Sequence, residues 1–338
     1  MAKGTIPARI TAASLVERKH AARMHEESLV ESRLVMVTAY DAPSAKAAHR
    51  AGVDMILVGD SLSMVVLGYD DTLQVTTEDI AHHTGAVTRG LKASVAAGCD
   101  ASRPLVVGDL PWMGYHTTTE RAVENAATLI RAGADCVKLE GGRKRLPMIR
   151  AILDAEIPVM GHIGLTPQSV NVMGGFKVQG RQLAQAEEIL ADARALESAG
   201  CFAIVLEGVP DALAKHISRS IAIPTIGIGA GADCDGQVLV WHDLLGLEDR
   251  FVPKFVRSYA ALGTAATEAI AAYAADVRSG AFPSAKETYA ASAELTAWLE
   301  RPVAMATTSI APPAARNHEE QLSLEAEEFL AGLYGASA

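Results

Sequence analysis

The sequence of 338 residues predicts an α/β protein built as a closed (β/α)₈ barrel. Short apolar runs alternate with helical patterns along most of the chain. The apolar runs are continuous rather than alternating, which is typical of strands buried on both faces of a parallel sheet. The length also exceeds the roughly 250 residues that eight strand–helix units need. Alternation at this count favours a closed barrel over an open doubly wound sheet.

An internal repeat supports this prediction. Residues 50–60, 131–141 and 197–207 each contain a helix end, a glycine that stops the helix and an apolar run that ends in an acidic residue. Residues 157–161 and 223–227 share a second pattern, in which Ile-Pro opens a strand that contains a glycine. Proline is tolerated at the first position of a strand because it removes no bond from the centre of the sheet. We interpret all five segments as strands of equivalent units.

The remaining elements follow from the same patterns. The candidate strands are 34–40, 55–59, 105–109, 136–140, 158–163, 202–207, 224–229 and about 238–241. The candidate helices between them are 77–96, 118–132, 145–155, 183–199 and 210–220. Thr117 and Glu120 have the spacing of a capping box, which predicts Thr117 as the cap of helix 118–132.

The two ends of the chain lie outside the repeat. A helix is predicted at 11–28, over the bottom of the barrel, and a short amphipathic helix at 317–334. We therefore expect an N-terminal segment over 1–33, the barrel over 34–289, and a partly flexible C-terminal extension over 290–338.

The composition narrows the class of protein. A net charge of −10 repels a phosphate backbone and aromatic residues make up only 5% of the chain, so nucleic acid is not an expected partner. The four cysteines form no Cys-x-x-Cys pair, which disfavours structural zinc and disulfides and fits a reducing cytoplasm. Because no apolar run resembles a signal peptide or reaches ~20 residues, we expect a cytoplasmic protein without a membrane partner.

Polar residues stand at the carboxyl ends of six predicted strands, where the loops of a parallel barrel gather. In chain order they are Asp41, Asp60 with Ser61, Asp109, Lys138 with Glu140, His162, and Glu207. All but one of these ends include a carboxylate, and the ends converge on one axis. Clustered carboxylates repel one another unless a cation neutralises them, and all-oxygen sites suit Mg²⁺ rather than zinc. The pattern predicts a magnesium site.

Several ordered motifs carry a resemblance to a known family. They are Gly-Asp-Ser-Leu at 59–62, Tyr-Asp-Asp-Thr-Leu at 69–73, Gly-Asp-Leu-Pro at 108–111, Lys-Leu-Glu-Gly-Gly at 138–142, Gly-His-Ile-Gly-Leu-Thr-Pro-Gln-Ser-Val at 161–170, Gly-Gly-Phe-Lys-Val-Gln-Gly at 174–180 and Gly-Ile-Gly-Ala-Gly at 227–231. Together they resemble the 3-methyl-2-oxobutanoate hydroxymethyltransferase (ketopantoate hydroxymethyltransferase) family. The match runs from about residue 10 to residue 289, and the stretch at 161–170 is by itself a specific signature.

The resemblance implies a barrel of the phosphoenolpyruvate/pyruvate type that transfers a hydroxymethyl group from 5,10-methylenetetrahydrofolate to 3-methyl-2-oxobutanoate. The product is 2-dehydropantoate, on the route to pantothenate and coenzyme A. The resemblance also implies one Mg²⁺ per subunit, bound by Asp60, Asp109 and Glu140, with Glu207 as the general base. It further implies a homo-oligomer, commonly a homodecamer, whereas no short motif marks the folate site.

Contacts with the substrate are implied for Asp60, Ser61, Asp109 and Lys138, and we add His162 as a further contact. The chemistry explains these residue types. Removal of a proton from C3 needs a base, and Mg²⁺ on the ketone oxygen acts as a Lewis acid that stabilises the developing enolate. Lys138 adds positive charge near the substrate carboxylate, and the enolate attacks the one-carbon unit of the folate.

Structural alternatives stay open for these residues. Asp60, Asp109 and Glu140 are each compatible with a helix cap or a loop position. Glu207 is compatible with a place near the next helix N-terminus, where negative charge is favoured. Lys138 is compatible with a simple ion pair to Glu140 or Asp109.

Several further features of the sequence either allow a purely structural interpretation or depart from the pattern that they resemble. His162 is equally compatible with a hydrogen-bonded core residue, and Asp41 with a cap of the helix after the first strand. Residues 227–232 have the form of a dinucleotide fingerprint, but Asp-Cys-Asp-Gly follows instead of a helix. Ser63 and Gln74 stand where the family usually has Gly and Pro, which leaves the shape of the loop after the second strand open.

Two competing hypotheses remain. One is a related Mg²⁺ and 2-oxo acid barrel, a lyase or mutase that makes or breaks a C–C bond without folate. Such enzymes usually carry a catalytic cysteine in a loop signature that this sequence lacks. The other is a metabolite-binding barrel without catalysis, which the retention of a candidate base at Glu207 disfavours.

Overall fold

Parallel strands close into an eight-stranded barrel within residues 9–24, 32–248 and 252–301, the part of the chain that the computed structural model describes. The strands are β1 (Leu34–Thr38), β2 (Met55–Val58), β3 (Leu105–Asp109), β4 (Cys136–Glu140), β5 (Val159–Gly164), β6 (Ala203–Glu207), β7 (Thr225–Ile228) and β8 (Gly236–Leu239). Each pairs with its neighbours in sequence, and β8 pairs with β1 to close the ring. The predicted (β/α)₈ barrel is confirmed, with each strand within two residues of its expected limits.

Helices follow most of the strands. They are α1 (Ala12–Met24), α2 (Ala42–Arg50), α3 (Leu62–Val65), α4 (Thr77–Ala96), α5 (Thr119–Ala132), α6 (Leu146–Asp154), α7 (Val170–Met173), α8 (Leu183–Ala199), α9 (Asp211–Ser220), α10 (Trp241–Leu245), α11 (Leu262–Ser279) and α12 (Ala293–Leu299). The helices predicted between strands are present within one residue of their limits. The last residues of the predicted helix 11–28 and all of the predicted helix 317–334 lie outside the described residues. None of the described helices combines the length and apolar character needed to cross a membrane.

Successive strand residues point alternately into the barrel and toward the helices. Met55 and Leu57 belong to the inner cluster of apolar side chains, whereas Ile56 and Val58 pack with the outer cluster that includes the helices. All four are buried. This two-sided burial explains why the strands occur in the sequence as continuous apolar runs.

Helix α1 covers the bottom of the barrel, as predicted. Leu15 inserts into the inner cluster and is 2% exposed. The buried Lys19 Nζ donates to Ser218 O at 2.9 Å and to Ile223 O at 2.7 Å, and lies 2.7 Å from Asp235 Oδ2. Burial lowers the pKa of Lys19, and the nearby Asp235 carboxylate opposes that shift. With the bottom closed, the opposite end of the barrel is left for ligands.

The structure identifies the N-cap residues of α2 and α5. The Asp41 side chain accepts a hydrogen bond from Ser44 N–H at 2.8 Å in a capping box, so the interpretation of Asp41 as the cap of α2 is confirmed. Helix α5 begins one residue later than its predicted cap. The predicted cap at Thr117 is wrong, because Thr118 has the extended backbone of a cap and accepts from Arg121 N–H at 3.2 Å.

An apolar groove of about 460 Å³ lies on the outside of β1 and β8. Its lining comes from these two strands, α2 and α10, and Val35 within it is 51% exposed. In a complete barrel a ring of helices covers the outer face of the strands. Helix α11 follows β8 and α10 in the chain, yet none of its residues is buried. The contacts divide the chain between residues 271 and 272, and the domain limits expected at 33 and 289 stay predictions.

Candidate active site

Four of the acidic residues selected from the sequence lie at the carboxyl ends of β2, β3, β4 and β6. Asp109, Glu140 and Glu207 are the last residues of β3, β4 and β6, and Asp60 follows β2 by two residues. Asp60, Asp109 and Glu140 are each no more than 5% exposed, whereas the Glu207 side chain is 16% exposed. The barrel therefore brings three buried carboxylates and one more accessible carboxylate to the same end.

Lys138 neutralises part of this cluster. Its Nζ lies 2.8 Å from Asp109 Oδ1, as expected from the register that places the two residues opposite each other. Of the two ion pairs considered for Lys138, the one with Asp109 is observed. Burial alone would lower the pKa of Lys138, but the carboxylates of Asp109, Glu140 and Asp60 outweigh it and raise the pKa.

The buried carboxylates repel one another. Asp109 Oδ2 accepts a hydrogen bond from Asp60 N–H at 3.1 Å, which joins the ends of β2 and β3. Burial raises the pKa of Asp60 well above its usual range, and the charges of Asp109 and Glu140 raise it further. Burial also raises the pKa of Asp109, although Lys138 opposes this shift. Three carboxylates against one lysine leave two negative charges in excess when all are ionised.

Gln168 joins two of these carboxylates from the loop after β5. Its Nε2 donates to Asp60 Oδ2 at 2.8 Å and to Leu110 O at 3.0 Å. Its backbone N–H donates to Glu140 Oε2 at 3.0 Å. Gln168 lies inside the signature at 161–170, but we did not select it from the sequence, because nothing in the motif shows which of its residues face the carboxylates.

His162 lies between two carboxylates. Its Nδ1 is 3.4 Å from Glu140 Oε1, and its Nε2 is 3.2 Å from Glu207 Oε2 in the geometry of an ion pair rather than of an aligned hydrogen bond. Lys138 Nζ also lies 3.4 Å from Nδ1. Burial and Lys138 lower the pKa of His162, but Glu140 and Glu207 prevail and raise it to about 9. His162 is therefore part of the charged cluster and not an isolated core residue.

Ser61 is positioned by a tyrosine that the sequence did not single out. The Tyr40 hydroxyl and Ser61 Oγ lie 2.8 Å apart, and Tyr40 is 3% exposed. Burial raises the pKa of Tyr40, which keeps its hydroxyl protonated. A Cβ at Gly59 would lie 3.0 Å from Ser61 Oγ and 3.4 Å from Asp109 Oδ2. The glycine of Gly-Asp-Ser therefore leaves room for both side chains.

Glycine also explains how the strand that carries Glu207 approaches its neighbour. Gly164 ends β5 with φ +95°, a conformation that L side chains rarely adopt. A Cβ there would overlap Glu207 O, and Leu165 N–H donates to the same oxygen at 2.8 Å. The glycine of the His-Ile-Gly signature thus allows the β5 loop to pack directly against the base candidate.

The donor chemistry fits a hard cation. Asp60, Asp109 and Glu140 offer carboxylate oxygens without thiols, which is the ligand type that Mg²⁺ prefers. In the described residues, however, no group of three or more His, Cys, Asp or Glu side chains is arranged as a ready metal site. Lys138 and Gln168 hold these carboxylates instead. The residues match Mg²⁺ in the type of ligand that they offer.

The structure also shows what the remaining sequence features do. Ser63 is buried and its Oγ donates to Asp71 O at 2.6 Å, so it ties down the loop after β2, while Gln74 is exposed. Residues 227–231 lead through turns into β8 and not into a helix, so the dinucleotide interpretation fails in the structure as it did in the sequence.

Comparisons with a family model and with known proteins show which family this chain resembles. Residues 18–285 match the family model described as ketopantoate hydroxymethyltransferase. A 3-methyl-2-oxobutanoate hydroxymethyltransferase from Oleidesulfovibrio alaskensis is 56% identical over 258 residues, which cover 76% of this chain and 86% of that protein. The chain belongs to the ketopantoate hydroxymethyltransferase family. A relative of the same name from Carboxydothermus hydrogenoformans is 49% identical over 85% of this chain and 98% of its own length. The family and transferase class predicted from the sequence are confirmed.

Solved structures share the fold at much lower identity. A phosphoenolpyruvate phosphomutase from Streptomyces platensis subsp. rosaceus has a TM-score of 0.50 and 14% identity, over 96% of this chain and all of that chain. A 2,3-dimethylmalate lyase of the PEP mutase/isocitrate lyase superfamily also has a TM-score of 0.50, with 15% identity over 98% of this chain. These likenesses concern the barrel alone.

Proposed function

We propose that this chain transfers a hydroxymethyl group from 5,10-methylenetetrahydrofolate to 3-methyl-2-oxobutanoate, forming 2-dehydropantoate for pantothenate synthesis. Family membership supports the reaction, because relatives at 49–56% identity carry the name of this activity. The observation that carries the proposal is the division of the carboxylates into two groups. Asp60, Asp109 and Glu140 are buried around Lys138, while Glu207 lies apart beside His162 and is more exposed.

We assign one Mg²⁺ per subunit to Asp60, Asp109 and Glu140. When bound, the ion supplies positive charge that stabilises the developing enolate of the substrate. The charge of the cluster supports this assignment, because three buried carboxylates face only Lys138 and His162. Burial raises the pKa of Asp60, and the charges of Asp109 and Glu140 raise it further.

Glu207 takes the proton from C3 of the 2-oxo acid in this proposal. Its position away from the ligand group supports the role, because a carboxylate bound to a metal is a poorer base. The neighbouring His162 also supports the role, because its Nε2 lies 3.2 Å from Glu207 Oε2 and holds that carboxylate in place.

The substrate carboxylate binds near Lys138 and the Ser61 hydroxyl in this proposal, with Asp60, Asp109 and His162 as further contacts. The Tyr40–Ser61 hydrogen bond supports the role of Ser61, because it holds the Ser61 hydroxyl in one orientation. After C3 loses its proton to Glu207, the carbanion forms the new C–C bond to the one-carbon unit. One water is consumed and tetrahydrofolate is released, which balances the hydroxymethyl product.

The decisive experiment supplies 3-methyl-2-oxobutanoate, Mg²⁺ and methylenetetrahydrofolate together and singly. We expect 2-dehydropantoate only when all three are present. With 3-methyl-2-oxobutanoate and Mg²⁺ but no folate, we expect solvent deuterium exchange at C3 without product. If no product forms although all three are supplied, the proposal is contradicted. Cleavage or rearrangement of a C–C bond without folate indicates a lyase or mutase, and binding without exchange or turnover indicates a metabolite-binding barrel.

We also propose a cytoplasmic homo-oligomer. The apolar groove over β1 and β8 supports self-association, because it is an apolar face that a second copy of this chain would bury. The four cysteines are free thiols, three of them buried, which fits a reducing compartment. A homodecamer, the assembly implied by the resemblance, is the size we expect.

A further inference from the structure

Gln168, in the loop after β5, uses all of its side-chain polar atoms in hydrogen bonds with neighbouring groups. Its two side-chain N–H donors are both used, one on Asp60 Oδ2 at 2.8 Å and one on Leu110 O at 3.0 Å. Its side-chain oxygen accepts from the Tyr115 hydroxyl at 2.7 Å. Gln168 is 5% exposed and Tyr115 is fully buried, so water does not compete for these contacts.

Tyr115 determines which way the Gln168 amide points. The Tyr115 oxygen accepts a hydrogen bond from Glu140 N–H at 3.0 Å. Its own proton has two acceptors within reach, and Gln168 Oε1 at 2.7 Å is nearer than Glu140 O at 3.2 Å. A flipped amide would turn its oxygen toward Asp60 Oδ2 and Leu110 O, which are both acceptors. The orientation with Nε2 on Asp60 therefore satisfies every group in the chain of bonds.

This arrangement fixes one oxygen on each of two ligand candidates and leaves the second oxygen of Asp60 available. Gln168 Nε2 holds Asp60 Oδ2, and among the described residues Asp60 Oδ1 accepts no hydrogen bond. The Gln168 backbone N–H holds Glu140 Oε2, while Glu140 Oε1 faces His162 Nδ1 at 3.4 Å. A carboxylate fixed in this way presents a defined oxygen to an ion without first having to rotate.

We propose that Gln168, oriented by Tyr115, is a positioning residue that sets Asp60 to receive the cation. The inference rests on the proposed function, in which Asp60, Asp109 and Glu140 bind Mg²⁺. Gln168 does not touch the reacting atoms; it acts through Asp60. Loss of an outer partner of a metal ligand typically lowers affinity by about 10- to 100-fold. Gln168→Met keeps the length of the side chain but removes the donors, so we expect a loss in this range.

The test is a titration of the full-length chain with Mn²⁺, followed by electron paramagnetic resonance of the free and bound ion without substrate. Gln168→Met and Tyr115→Phe are compared with the unaltered chain. Ser218→Ala is the matched control, because it removes a buried hydrogen bond to Thr225 at the opposite end of the barrel. We expect about 10- to 100-fold weaker binding for Gln168→Met, about tenfold for Tyr115→Phe, and unchanged binding for Ser218→Ala.

Three results overturn the proposal. Equal Mn²⁺ affinity in the unaltered chain and both variants shows that Gln168 does not position a ligand. An equal loss in Ser218→Ala shows that general destabilisation is the cause. No Mn²⁺ binding by the unaltered chain removes the metal assignment of the proposed function itself, a result distinct from the other two. If Gln168→Met does not fold, Tyr115→Phe decides: it keeps the Gln168 side chain and removes the hydroxyl that bonds Gln168 Oε1 and Glu140 N–H, and unchanged Mn²⁺ affinity in it overturns the proposal.

Discussion

His162 Nε2 lies 3.2 Å from Glu207 Oε2, and its other ring nitrogen lies 3.4 Å from Glu140 Oε1. The histidine on β5 therefore connects the proposed base on β6 with a proposed metal ligand on β4. The in-register pairing of Glu140 with His162 produces this contact. Because all three side chains can carry charge and His162 and Glu140 are buried, a change in one of them alters the others.

His162 should make stability depend on pH. Its pKa of about 9 in the folded chain exceeds the ordinary value of 6.5, so the stabilisation is complete below pH 6.5 and is lost as the pH rises through about 9. We expect the free energy of unfolding of the metal-free protein to fall over this range, and to fall less steeply in His162→Asn. Urea unfolding across the range measures both slopes, and equal slopes contradict the prediction.

Replacement of Glu207, the proposed base, should impair chemistry without impairing substrate binding. We expect Glu207→Gln to lower kcat by about 10²- to 10⁴-fold, because an amide cannot accept the C3 proton, with little change in KM. Deuterium exchange at C3 should fall by a similar factor. Glu187→Gln, the same change at an exposed position of α8, is the control and should retain full activity. Full activity of the Glu207 variant would mean that another group is the base.

Replacement of the buried Lys138 should destabilise the protein more in the absence of Mg²⁺ than in its presence. Lys138→Met leaves Asp109 without its ion-pair partner beside Asp60 and Glu140, all in a buried cluster. Breaking such a pair costs about 3–5 kcal/mol, and added Mg²⁺ should restore more stability to the variant than to the unaltered chain. Urea unfolding with and without Mg²⁺ measures this difference. Lys92→Met, at an exposed site on α4, should show neither effect.

The other buried lysine should affect stability alone. Lys19→Met removes the side-chain donor of Ile223 O and one of the two donors of Ser218 O, and it breaks the pair with Asp235 at the bottom of the barrel. We expect a loss of about 2–3 kcal/mol, near the low end for buried pairs because the Asp235 side chain is 25% exposed. The kcat per folded molecule should be unchanged, as measured by thermal unfolding and activity together. A fall in kcat of the fully folded variant would show that contacts at the bottom of the barrel influence the active site at the opposite end.

The apolar groove should control assembly. A charge at Val35, which lies in the groove and is 51% exposed, would oppose burial of this surface by a second copy. We expect Val35→Lys to sediment as a smaller species than the unaltered chain, while the nearly isosteric Val35→Thr keeps the original size. Sedimentation velocity distinguishes them. Identical assembly of the chain and Val35→Lys places the interface elsewhere.

The sequence by itself determined the barrel, its strand limits to within two residues, and the candidate residues of the site. Strands such as β2 and β4 are buried on both faces, so their positions are visible as continuous apolar runs. Glycines such as Gly133 and Gly200 end helices in the left-handed conformation and mark the helix ends equally clearly. The acidic strand ends and the ordered motifs then identified the family, because these local signals do not depend on how the barrel closes.

Only the tertiary structure decided how those residues are connected. Register placed Lys138 on Asp109 rather than on Glu140, and the folded loop brought Gln168 to Asp60, 108 positions away in sequence. Tyr115 became part of the site through the same long-range contacts. Hydrogen bonds between distant segments form only when the closed barrel brings their strands and loops together, and no local pattern in the sequence encodes that proximity.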